Sequence, residues 1–237
     1  MRGWPTLATP VAPPGSVEME RKFWLERWAR NQIGFHQADY NARLLRHWPK
    51  LALPDGCGVF VPLCGKTKDM RWLAEQGFKV VGIELSELAV DAYFEENNEP
   101  VTVTSSDALA CHQGSTATIY QGDFFDLTAS HLAEVEGCFD RGALVALPAD
   151  MRRRYVDHVL RVLPDGARIL LLTLEYDQAL VAGPPHSVTA EEVQLLYGER
   201  CDVEQLETES VDEVPPHFRE HGMQRATEAS YLITKRR

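Results

Sequence analysis

The sequence predicts an α/β fold built on a doubly wound, mostly parallel sheet with helices on both faces. Two observations carry this reading. Short apolar runs of strand length alternate with segments of helical period over most of the chain, and the runs at 58–63 and 168–174 are apolar almost throughout, as strands buried on both faces are. No internal repeat competes with the alternation. In such a sheet, ligands bind beyond the carboxyl ends of the strands, where the winding reverses.

The elements follow in order. From residue 17 onward Phe23, Trp24, Trp28 and Ile33 recur at spacings near three and four with charges between them, which predicts an amphipathic helix ahead of the sheet. A second short helix is expected around 40–48. Pro54-Asp55-Gly56 makes a turn, and the apolar run 58–63 reads as a buried first strand. Helix 67–76, strand 79–84 and helix 86–97 come next, with Ser86 placed as an N-cap. Residues 99–115 carry little periodicity and are expected to form an irregular surface insertion before a third strand at 117–121. A fourth strand (138–143), a helix (149–163) and a very apolar fifth strand (168–174) continue the alternation. A helix at 189–197 and late strands at 202–207 and 230–234 complete it.

Bulk properties narrow the function. The chain of 237 residues is 44% hydrophobic and 25% charged, enough for one large core, so residues 17–237 are expected to form a single domain. No stretch reaches the roughly 18 apolar residues that span a bilayer, so no membrane partner is expected. The net charge of -11 gives a phosphate backbone no general electrostatic reason to approach, which disfavours a nucleic-acid substrate. Five scattered cysteines without a CxxC pair argue against a disulfide framework or a metal site and suit a cytoplasmic protein. Residues 1–16, rich in Pro and small side chains, are expected to be a disordered extension.

Chemistry is expected at the first strand's end. The turn Pro62-Leu63-Cys64-Gly65-Lys66-Thr67 leads into a helix whose free N–H groups suit a polar ligand. It is neither GxGxxG nor a P-loop, because Gly58 lies too far upstream of Gly65-Lys66-Thr67. Glu84 ends the second strand about 20 residues on, where an acid accepts ribose hydroxyls, or simply stabilises the following helix. Gly122-Asp123-Phe124-Phe125-Asp126 follows the third strand and could offer Asp123 to an adenine amino group. Asp140-Arg141 closes the fourth strand, either as a structural ion pair or with Arg141 turned into the cleft to hold negative charge.

Several of these blocks, together with Phe23-Trp24 to Trp28, Ile33-Gly34-Phe35-His36-Gln37, Val61-Pro62-Leu63-Cys64-Gly65-Lys66, Val81 to Glu87, Asp140 to Ala146 and Gly183-Pro184-Pro185, resemble the thiopurine S-methyltransferase family in the same order. The resemblance covers nearly all of 17–235. It implies a class I methyltransferase, Rossmann-like sheet of seven strands with the last inserted antiparallel, a monomer, and S-adenosyl-L-methionine as cofactor. It implies that Trp28, Leu63, Gly65, Glu84 and Arg141 bind or border that cofactor, with Asp123 and Phe124 beside the adenine. Phe35, with Trp24 and His36, would belong to a flap over the acceptor, and Pro184 and Arg219 would face the acceptor; for Trp24 and Trp28 the competing reading is a core-facing stripe.

Methyl transfer from a sulfonium is an in-line displacement that needs alignment and dryness more than a strong base, so Arg141 is the expected electrostatic residue and no metal or covalent intermediate is required. The acceptor is expected to be a small aromatic or heterocyclic thiol, with a selenium or tellurium species as the alternative. A nicotinamide-dependent dehydrogenase would share the fold but lacks its GxGxxG here, and a non-catalytic nucleotide-binding protein would have no use for both Glu84 and Arg141.

Overall fold

The computed structural model describes residues 14–211, 219–220 and 222–237; most of the expected N-terminal extension, 1–13, lies outside them. Helix α1 (Pro14–Ala29) starts three residues ahead of its expected first residue and stands before the sheet, followed by the short α2 (Ala42–His47), whose N-cap Asn41 accepts from the Arg43 and Leu44 N–H groups. Strand β1 (Gly58–Val61), α3 (Asp69–Glu75), β2 (Lys79–Glu84) and α4 (Glu87–Glu96) then alternate as expected. Ser86 does occupy the N-cap position of α4, but its side chain makes no cap hydrogen bond.

The expected irregular insertion is instead a hairpin, β3 (Thr102–Ser106) and β4 (Leu109–Gln113), which joins β5 (Ala117–Gln121) antiparallel. Nearly every side chain of β3 is exposed, so the segment has no buried face and no hydrophobic period to reveal it; its β-branched Thr and Val residues were the available signal. Strand β6 (Val135–Arg141), α5 (Ala149–Val162), β7 (Arg168–Glu175) and α6 (Ala190–Tyr197) follow. The final strands, β8 (Cys201–Val211) and β9 (Ala226–Lys235), are both longer than expected.

Among the described residues the sheet has nine strands, in the order β3-β4-β5-β2-β1-β6-β7-β9-β8. Seven of them form the expected doubly wound core, with β9 inserted antiparallel between β7 and β8, and the hairpin extends one edge. Side chains alternate across it. On β7, Ile169 and Leu171 join Phe60, Cys138, Val156 and Val193 on one face, while Leu170 and Leu172 join Val59, Leu44, Leu73 and Val90 on the other. Helices α5 and α6 therefore cover one face and α2, α3 and α4 the other, and the winding reverses between adjacent β1 and β6. Among the described residues no helix is long and apolar enough to cross a membrane.

Candidate active site at the sheet switch point

A cavity of about 660 Å³ opens at that reversal, within the size range of small-molecule sites. Its floor is the turn after β1. Leu63 and Gly65 both have left-handed backbone, at φ 45 and 52, and the Trp28 ring closes over Gly65, so that a Cβ there would meet Trp28 Cζ2 at 3.1 Å. Glu84, 6% exposed, ends β2 with its carboxylate locked: Oε2 accepts the Gly65 N–H and Oε1 the Ser86 N–H, each at 2.8 Å. Burial raises its pKa, and the N–H groups of Ser86, Gly65 and Leu85 oppose the shift. A carboxylate so held keeps further lone pairs for a diol, while its own orientation costs nothing on binding.

Beyond Glu84, Asp123 and Phe124 line the same cavity. Asp123 Oδ1 accepts the Phe125 N–H at 2.9 Å and Oδ2 takes Arg21 of α1 at 2.7 Å, which ties the first helix to the loop after β5. Phe124 packs against Tyr155, at a centroid distance of 5.0 Å. The thiol of Cys64, in the turn after β1, also lines the cavity, and burial pushes its pKa well up, which leaves it a poor nucleophile.

Asp140 and Arg141 do not pair. Being successive on β6, they point to opposite faces. Asp140 is buried on the α5 side, where Tyr155 Oη donates at 2.7 Å and the Leu144 N–H at 3.1 Å; burial lifts its pKa to about 6 against those donors. Arg141 turns into the cavity and donates to the Phe35 carbonyl at 3.3 Å. Burial lowers its pKa, while Asp69 and Glu228 raise it.

The helical stripe expected of Trp24 and Trp28 faces this cavity and not the core. Both rings meet Phe35 edge-on at 5.7 Å, forming an aromatic wall that His36 continues. Burial, followed by the charge of Lys66, lowers the pKa of His36. Pro184 also lines the cavity, whereas Arg219 is exposed and outside the lining; among the described residues the late charged side chain that does reach the cavity is Glu228 of β9.

The thiopurine S-methyltransferase family model matches residues 19–236. This chain belongs to the thiopurine S-methyltransferase family. A relative from Nitrosospira multiformis, itself named thiopurine S-methyltransferase, is 44% identical over 218 residues, spanning 92% of this chain and 99% of its own. One of the same name from Pseudomonas aeruginosa is 45% identical over 217 residues, covering 92% and 100%. The fold is shared more widely. A methyltransferase from Anabaena variabilis superposes with a TM-score of 0.62 at 15% identity, covering 98% of this chain and all of its own. A didemethyltoxoflavin N-methyltransferase from Burkholderia thailandensis, solved with S-adenosylhomocysteine, does so with 0.62 at 16%, covering 98% and 94%.

Family membership makes the chain a methyltransferase and implies S-adenosylmethionine as methyl source. The residue pattern fits that cosubstrate on its own terms: a locked acid at the end of β2, an apolar aromatic wall, and a β1 turn without the glycines a pyrophosphate needs. Sequence reasoning missed several cavity residues, among them Arg43, Tyr155 and Glu228. Arg43 sat in a short helical stretch where its charge read as ordinary surface, and only its place on the buried side of α2 marks it out.

Proposed function

We propose that this protein transfers the methyl group of S-adenosylmethionine to the sulfur of a small aromatic or heterocyclic thiol, thiopurines included. The observation that carries the proposal is Glu84, buried and oriented by two backbone N–H groups at one end of a cavity whose other end holds Arg141. Glu84 accepts the ribose hydroxyls. Asp123 and Phe124 border the adenine, and Leu63, Gly65 and Trp28 enclose the remainder of the cosubstrate.

Bound S-adenosylmethionine supplies an electrophilic methyl on a sulfonium. The chain's own contribution is alignment and exclusion of water, for which Trp24, Trp28 and Phe35 form the cover. His36 and Pro184 shape the acceptor space. Arg141, with donors to spare beyond its bond to Phe35, holds the acceptor sulfur as thiolate and stabilises its charge. Cys64 takes no part, so transfer is direct. The protein acts as a monomeric single domain over 17–237, in the cytoplasm, where its five free cysteines stay reduced.

Calorimetric titration with S-adenosylmethionine and S-adenosylhomocysteine tests the cosubstrate site. Glu84→Ala should weaken both by about 1 to 3 kcal/mol, roughly 5- to 150-fold. Equal affinity in the variant would remove Glu84 from the site, and failure of the intact protein to bind would remove the reading altogether.

A further inference from the structure

The strongest concentration of charge outside the cosubstrate end surrounds Arg43. Its buried guanidinium donates Nε to Glu228 at 2.8 Å, Nη1 to Glu207 at 3.0 Å and Nη2 to Glu209 at 2.9 Å. Glu207 also takes Arg46 and, at 2.7 Å, His47 Nε2. Two guanidinium groups thus face three carboxylates, and the cluster joins α2 to the last two strands. Of those carboxylates, Glu228 alone lines the cavity, beside Leu174, its cross-strand neighbour on β7.

Glu228 is anchored through one oxygen, Oε2, on Arg43 Nε, and 41% of its side chain stays exposed. A carboxylate has about four acceptor positions, so Glu228 retains capacity toward the cavity. It is also close enough to Arg141 to raise that residue's pKa without pairing to it. The acceptor end therefore presents a cation and an anion to the same space, unsatisfied by each other. A plain aromatic thiolate would answer only the cation. A heteroaromatic thiolate that also carries a ring N–H answers both.

We infer that Glu228 determines acceptor specificity, its carboxylate accepting the ring N–H of a nitrogen heteroaromatic thiol whose sulfur lies at Arg141. Arg43 acts as the positioning residue that holds Glu228 in place. The inference rests on the thiol-methylation reading above and narrows its acceptor class. Sites built to receive a hydrogen bond reject analogues that lack the donor, because the desolvated acceptor is left unpaired.

Two thiols of matched shape separate the cases. As thiolates, 2-mercaptobenzimidazole keeps a ring N–H and 2-mercaptobenzothiazole has none. The wild-type protein should favour the first in kcat/KM by roughly 10-fold or more, Glu228→Ala should abolish most of that preference, and Glu228→Gln should fall between. Glu209→Ala removes another Arg43 partner from outside the cavity lining, so it should leave the preference intact. S-adenosylhomocysteine affinity, measured on every variant, reports on folding; if Glu228→Ala does not fold, Glu228→Gln decides. An unchanged preference in the Glu228 variants, or an equal loss in Glu209→Ala, overturns the inference and leaves thiol methylation standing. If the wild-type protein binds S-adenosylhomocysteine yet methylates neither thiol, the thiol reading falls and this inference with it.

Discussion

The two ends of the cavity are held by different means. At the proposed cosubstrate end, Glu84 is fixed by backbone N–H groups of the turn after β1 and of the start of α4, all within a stretch of about twenty residues. At the proposed acceptor end, Glu228 is held by a side chain from a remote part of the chain, since Arg43 and Glu228 stand 185 positions apart. Backbone donors are rigid and shared by any sequence of that conformation, whereas a side-chain cluster changes with one substitution. The difference implies an invariant cosubstrate grip and an adjustable acceptor pocket.

The largest expected effect probes what lies behind the acceptor end. Asp140 has its pKa raised from 3.8 to about 6 by burial. A carboxyl whose folded pKa lies above its unfolded one favours folding when protonated, so its contribution is present at about pH 4 and lost as pH rises through about 6. Wild type should therefore lose about 3 kcal/mol of stability relative to Asp140→Asn between about pH 3 and 7. Urea unfolding of both proteins at the two pH values reads this difference directly. Parallel pH dependences would show that Asp140 is no more perturbed than a surface acid.

Next in size is Arg141→Ala. Loss of one preorganised charge-stabilising group costs roughly 100-fold in kcat at saturating thiol. Affinity for S-adenosylhomocysteine should change less than in Glu84→Ala, because the proposed role of the guanidinium is at the acceptor sulfur. The comparison between the ends breaks down if the two variants exchange phenotypes, with Arg141→Ala mainly impairing cosubstrate binding.

This contrast also governs what could be read from the sequence. The sheet and the turn from Pro62 to Thr67 were legible because strand, turn, acid and helix follow one another within a single unit of the fold. Glu84 could be placed by its distance from that turn. Arg43 and Glu228 could not, since nothing local distinguishes a charge on a short helix or a late strand from a solvated one. The alternatives for Asp140-Arg141 were decided by strand alternation once β6 was seen to be covered on both faces. The β3–β4 hairpin escaped for a third reason, nearly every side chain of β3 being exposed.

The smallest expected effect compares two glycines at the carboxyl ends of neighbouring strands. Gly65, after β1, and Gly142, after β6, both have positive φ, 52 and 100, which alanine adopts at a cost of about 1 to 2 kcal/mol. Their surroundings differ. A Cβ on Gly142 would meet nothing within 4 Å, while one on Gly65 would press on the Trp28 ring, and the Gly65 N–H is itself one of the two bonds that orient Glu84. Gly142→Ala should therefore lower the melting temperature and, although Gly142 also lines the cavity, weaken S-adenosylhomocysteine binding less than Gly65→Ala does. Gly65→Ala should lower both, through displacement of Trp28 and rotation of the carboxylate. Equal affinities in the two variants would mean that the backbone grip on Glu84 tolerates the shift, and that the cosubstrate end is as adjustable as the acceptor end.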